Sequence, residues 1–76
     1  MELEIIFMNV DSLHSEKTGK DYYKVYYLQE KKPVEEFITK ETYEKIRIKN
    51  LKYLVTYTGI FKINPVSRKI FLFDIK

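Results

Sequence analysis

Residues 39–48, Thr39-Lys40-Glu41-Thr42-Tyr43-Glu44-Lys45-Ile46-Arg47-Ile48, are where this chain changes its period. The flanking segments are dense in β-branched and aromatic residues, whereas this stretch carries helix signals. Thr39 is placed to act as an N-cap, its hydroxyl accepting an amide of the first turn. Glu41 sits in that turn, where a carboxylate complements the positive end of the helix dipole. Lys40 with Glu44, and Glu41 with Lys45, are oppositely charged i,i+4 pairs, and Tyr43 and Ile46 share a face. Asn50 can close the helix in the left-handed conformation. One short helix is predicted, with only a Tyr43/Ile46 stripe able to pack.

Strands are predicted on both sides of it. Residues 2–10 begin by alternating and then turn apolar on both faces, which suits a strand buried on one side and partly covered on the other. Residues 11–20 are polar and turn-rich, a loop or hairpin tip. Residues 21–29, with Tyr22-Tyr23-Lys24-Val25-Tyr26-Tyr27-Leu28, make a second strand, and Glu30 to Pro33 a turn. Val34 to Thr39 is a short third strand, in which adjacent Glu35 and Glu36 force one carboxylate toward the inner side or a strand edge. Residues 51–63 read as a long fourth strand, bent or bulged at Gly59. Asn64-Pro65 starts a turn, and Val66 to Ile75 completes a fifth strand.

The order is therefore β-β-β-α-β-β, with one helix between the third and fourth of five strands. That is the connectivity of the OB-fold, a partly open Greek-key barrel that often binds oligonucleotides on its strand 2–3 face and adjoining loops. An all-β barrel with one short helix is the expected fold. Small SH3-like barrels and swapped β-sandwiches compete with it. The helix position, the long bent fourth strand and the long first loop favour the OB arrangement.

At 76 residues the chain has room for one domain, 1–76, and its lack of cysteine excludes a disulfide framework or a thiolate zinc site. A domain this short buries only about 60% of the surface its unfolded chain exposes, so a partner subunit is expected to help. No apolar run approaches the roughly 20 residues that cross a bilayer. The first residues, Met1-Glu2-Leu3-Glu4, are acidic where a signal peptide would be basic, so a cytoplasmic location is expected.

Catalytic and metal chemistry find little to work with. The sole histidine, His14, lies in a polar loop beside Asp11, Ser12 and Ser15, and the only glycines are Gly19 and Gly59, so no phosphate-cradling loop exists. Glu35/Glu36 and Glu41/Glu44 read as solvated strand and helix faces. Neither an enzyme, a metal, a cofactor nor a small-molecule substrate is expected.

Charge is unevenly spread. Residues 1–16 hold four acids and no Lys or Arg, while residues 17–76 hold all 14 Lys and Arg residues and seven acids. A basic chain that is 16% aromatic suits a polyanion-binding surface. The strongest constellation is Lys17-Thr18-Gly19-Lys20-Asp21-Tyr22-Tyr23-Lys24-Val25-Tyr26-Tyr27. Alternation puts Tyr22, Lys24 and Tyr26 on the charged, outward side and Tyr23, Val25 and Tyr27 on the other. Two tyrosines flanking a lysine form a platform on which bases can stack, each for roughly 1–3 kcal/mol. Lys17 and Lys20 extend the positive surface into the first loop, Lys31 and Lys32 lie at the next turn, and Arg68, Lys69 and Phe71 lie in the last hairpin. These ten residues are the candidate nucleic-acid site. The same tyrosines could instead line a protein interface.

Gly19-Lys20-Asp21-Tyr22, Pro33-Val34 through Ile38-Thr39, Tyr53, Val55 and Phe61-Lys62 follow the order and spacing of one small family. Over roughly residues 15 to 75 the chain resembles the filamentous-phage helix-destabilising proteins, single-stranded DNA-binding OB-folds. The resemblance implies a homodimer that coats single-stranded DNA cooperatively, without sequence specificity, during replication of a phage or plasmid. It places Tyr22 at the position of a base-stacking tyrosine and Lys20 at the basic residue before it. Lys24 falls where the family has an apolar residue on its DNA face. Val66 stands near the place of a hairpin phenylalanine, and Lys17 replaces first-loop arginines, removing bidentate phosphate contacts. Two other readings remain open: an RNA-binding small barrel, and a phage or mobile-element protein that inhibits a host protein through its tyrosine-rich surface.

Overall fold

The computed structural model describes residues 1–76. Its elements follow in the order β1 (Glu2–His14), β2 (Asp21–Gln29), β3 (Lys32–Ile38), α1 (Lys40–Ile48), β4 (Thr56–Ile63) and β5 (Ile70–Ile75). The strands form one five-stranded sheet in the order β3-β2-β1-β4-β5, with every neighbouring pair antiparallel. No ladder joins β3 to β5, so both are edges. No helix is long and apolar enough to cross a membrane.

The central strand β1 divides its pairing. Glu2–Ile6 pair with β4 and Ile6–His14 with β2, and the register shifts between Phe7 and Asn9. The extra residue there, Met8, bulges the strand, which bends it and increases its twist. Residues 54 and 55 hook onto this bulge: Leu54 N donates to Phe7 O at 2.7 Å and Phe7 N to Val55 O at 3.0 Å. This corrects two expectations. The fourth strand begins at Thr56 rather than at residue 51, because Leu54 takes a left-handed φ of 59° to make the hook. The register shifts lie in β1 and in the β4–β5 ladder between Ile60 and Phe61, one residue past Gly59, which itself stays paired with Leu3 and Ile75.

Gly59 is required for space. It is buried, and a Cβ there would lie 2.9 Å from Phe61 Cε2 and 3.1 Å from Leu72 Cδ1. The first strand also runs on to His14, shortening the expected loop to residues 15–20, where Gly19 has φ 68°. The last strand starts at Ile70 rather than Val66, because Asn64 organises a tight tip. Its Oδ1 accepts from Val66 N at 2.8 Å and Ser67 N at 3.1 Å, and its carbonyl accepts from Arg68 N at 2.8 Å.

One face of the sheet carries the core: Ile5, Phe7, Val25, Tyr27, Phe61, Leu72 and Ile75, joined by Ile46 from α1. The helix forms for the reasons its sequence contains. Thr42 N donates to Thr39 Oγ1 at 3.1 Å, and Asn50 adopts φ 54° just past the last turn. Glu41 pairs with Lys45 at 3.6 Å, while Glu44 takes Arg47 at 2.8 Å instead of Lys40. Tyr43 packs on Tyr23 with ring centroids 4.9 Å apart. Thr42, outside the expected stripe, is also buried, and its hydroxyl donates to Phe73 O at 2.9 Å, tying α1 to β5.

The adjacent glutamates separate as alternation requires. Glu35 is exposed, and Glu36 turns inward, where Oε2 accepts from Tyr27 Oη at 2.7 Å and Oε1 from Leu72 N at 3.1 Å. A side chain, not a ladder, therefore bridges the β3–β5 seam.

Candidate nucleic-acid interface

The faces of β2 are those alternation predicts. Val25 and Tyr27 are buried in the core and Tyr23 lies against α1, while Tyr22, Lys24 and Tyr26 occupy the opposite, half-buried side. Burial and the hydrogen bond to Glu36 push the Tyr27 phenol well above its ordinary pKa, as befits a neutral core group. On the outer side, register places Tyr22 across from Leu13, Lys24 between Asp11 and Phe37, and Tyr26 between Asn9 and Glu35.

Tyr22 and Phe37 form a tilted ring pair with centroids 6.0 Å apart, an aromatic patch shared by β2 and β3. Phe37 is 68% exposed. Lys24 does not present a free charge to this patch. Its ammonium is hydrogen-bonded to Glu35 and lies 4.9 Å from the centre of the Phe37 ring. The Glu35 hydrogen bond raises the Lys24 pKa further above its ordinary value. With Asp11 directly across the ladder as well, two carboxylates face this one ammonium, so this stretch of the platform is locally acidic.

The remaining candidate cations are exposed, and none has a carboxylate within ion-pair distance. Lys17 and Lys20 lie in the β1–β2 loop beside the Tyr22 end of β2. Lys31 and Lys32 lie at the β2–β3 turn, where Glu30 and Lys31 take φ values of 52° and 65°. At about 3.3 Å per residue that turn is roughly 25 Å along β2 from Tyr22, so these two lysines join the Tyr26 end. Arg68 and Lys69 cap the β4–β5 hairpin.

The twist of the sheet carries that hairpin across to the end of β3. A groove of about 410 Å³ opens there, lined by Phe37, Ile38 and Thr39 on one side and by Asn64, Ser67, Lys69 and Phe71 on the other. The structure thus brings Tyr22, Phe37, Phe71 and Lys69 into one continuous surface and leaves Lys31 and Lys32 apart from it. Phe37, Asn64 and Ser67 were not among the candidates. Phe37 was detectable: it is out of phase with Val34, Glu36 and Ile38, so alternation sends it outward.

His14 Nδ1 lies 2.9 Å from Asp21 Oδ1 at the same end of the sheet, with both side chains 59% exposed. No family model, no curated protein and no solved structure matches this chain.

Proposed function

We propose that this protein binds single-stranded DNA without sequence preference, sequestering unpaired strands during replication of a phage, plasmid or other mobile element. The observation that carries the reading is the Tyr22/Phe37 ring pair on the solvent side of β2 and β3, with Lys17 and Lys20 of the adjoining loop free of acid partners. Exposed rings offer every base a stacking face, and Lys17, Lys20, Arg68 and Lys69 can neutralise phosphates at the same end. Tyr26, Lys31 and Lys32 extend the path along β2. Binding then destabilises duplex by mass action.

The strand order supports an OB architecture, since β1 lies between β2 and β4 and the helix falls between β3 and β4. In that architecture β3 and β5 face each other across the barrel's open side. The resemblance to filamentous-phage helix-destabilising proteins agrees with both parts of this reading and adds a homodimer. Exposed Ile63, Val66 and Ile70 at the β4–β5 hairpin are an apolar surface a second copy could cover.

Titration with oligo(dT) at several salt concentrations, followed by tyrosine fluorescence, tests the proposal. The chain has no Trp to mask the signal. The binding constant read from the quenching should fall with salt at a log–log slope of about −0.7 per phosphate neutralised. Tyr22→Ala combined with Tyr26→Ala should abolish most of the quenching and leave the fold intact. Absence of any binding at low salt would overturn the reading.

A further inference from the structure

We infer that the groove at the β3–β5 seam holds one nucleobase of the bound strand, stacked on Phe37, with its flanking phosphate at Lys69. The inference rests on the single-stranded DNA reading and adds to it a subsite between β3 and the β4–β5 hairpin.

Size permits it, since small-molecule sites run from about 300 to 1,000 Å³ and this groove is about 410 Å³. Its walls are flat and apolar where Phe37 and Phe71 contribute, and its rim consists of donors. Asn64 uses Oδ1 for the amides of Val66 and Ser67, while its Nδ2 makes no hydrogen bond. Ser67 Oγ accepts from Lys69 N at 3.3 Å, so the hydroxyl proton is still available to donate. Lys69 has no carboxylate partner, and no acid lines the groove. An aromatic wall with an amide, a hydroxyl and an ammonium suits a flat ligand with acceptors on its edge and an anion beside it. A base with its phosphate is such a ligand.

The seam suits an added peptide strand less well. Strand addition needs the free amides of an edge, and the Leu72 amide on the β5 edge is already taken by Glu36. Continuity favours the nucleotide: Phe37 is both the partner of the Tyr22 ring and a wall of the groove, so a strand stacked on β2 passes directly to it.

The test is amide NMR of the full chain titrated with oligo(dT), and with the same oligonucleotide carrying abasic sites. With oligo(dT), the amides of Asn64, Ser67 and Lys69 and the Asn64 side-chain amide should shift together with those of Tyr22 and Tyr26. The abasic strand should leave the groove signals nearly unmoved. Phe37→Ala, at a position too exposed to threaten folding, should weaken oligo(dT) binding by roughly 5- to 150-fold, the loss of one stacked base. Shifts confined to β2, or equal groove shifts with the abasic strand, would overturn the subsite while strand binding stands. Failure to bind either oligonucleotide at low salt would overturn strand binding and the subsite with it.

Discussion

Glu36 Oε1 accepts the main-chain amide of Leu72 at 3.1 Å, so the two edge strands of the sheet are joined by one carboxylate. The other oxygen holds the Tyr27 hydroxyl at 2.7 Å. Both donors are otherwise unsatisfied, and an unpaired buried donor costs about 1–3 kcal/mol. Glu36→Leu is therefore expected to lower unfolding free energy by about 2–4 kcal/mol. Tyr27→Phe, which leaves the Leu72 bond in place, should cost only about 1 kcal/mol. Urea unfolding of the two single variants and the double variant checks this. The double variant should lose less than the sum, because each removes the same Tyr27–Glu36 bond.

Gly59 leads to a second expectation. Replacing glycine by alanine within a strand ordinarily gains roughly 0.5–1 kcal/mol from chain entropy. Here the new methyl would meet the Phe61 ring at 2.9 Å and Leu72 at 3.1 Å, both fully enclosed in the core. Overpacking costs about 1–3 kcal/mol and wins. Gly59→Ala should lower the melting temperature, whereas Gly19→Ala, with open space but φ 68°, should show only backbone strain.

These examples show what was readable from the chain and what was not. The helix was legible because its cap, dipole and closing residues are all local, and Thr39 and Asn50 do what their chemistry favours. The split of β2 was legible because a period of two needs no partner. Residues 51–55 misled, since Leu51 to Val55 have strand composition while a distant bulge at Phe7 takes their hydrogen bonds. The Lys24–Glu35 pair was hidden because it depends on the register that the Glu30–Lys31 turn sets. The groove was invisible for a stronger reason: it joins residues about 30 positions apart across a seam with no ladder.

Asp74 supplies a pH dependence. Its partial burial alone would raise the carboxyl pKa, but Lys49 at 2.7 Å and the Ile75 amide at 2.8 Å stabilise the anion, and the net shift is downward. A pKa lowered on folding contributes stability above the unfolded value near 4, and that stability is lost as pH falls through the folded value. Lys49→Met should therefore flatten the acid limb of a stability–pH curve below about pH 4, with little change at pH 9 beyond a constant offset. Thermal melts between pH 2 and pH 9 would reveal it. An unchanged acid limb would mean that Lys49 does not set the Asp74 titration.

Lys24 gives the sharpest contrast among the candidate contacts. Its ammonium is bonded to Glu35, and Asp11 faces it across the ladder, so it has little charge to offer a phosphate. Lys24→Gln should then reduce oligo(dT) affinity less than Lys20→Gln or Lys69→Gln, whose charges are unpaired. Glu35→Gln frees Lys24 beside the Tyr22/Phe37 patch. It should tighten binding at low salt and steepen the salt slope by about 0.7, one added phosphate contact. An ion pair at the solvent face adds little to stability, so neither variant should unfold the protein. If Lys24→Gln instead proves as costly as Lys69→Gln, DNA must displace Glu35, and the platform is remodelled on binding.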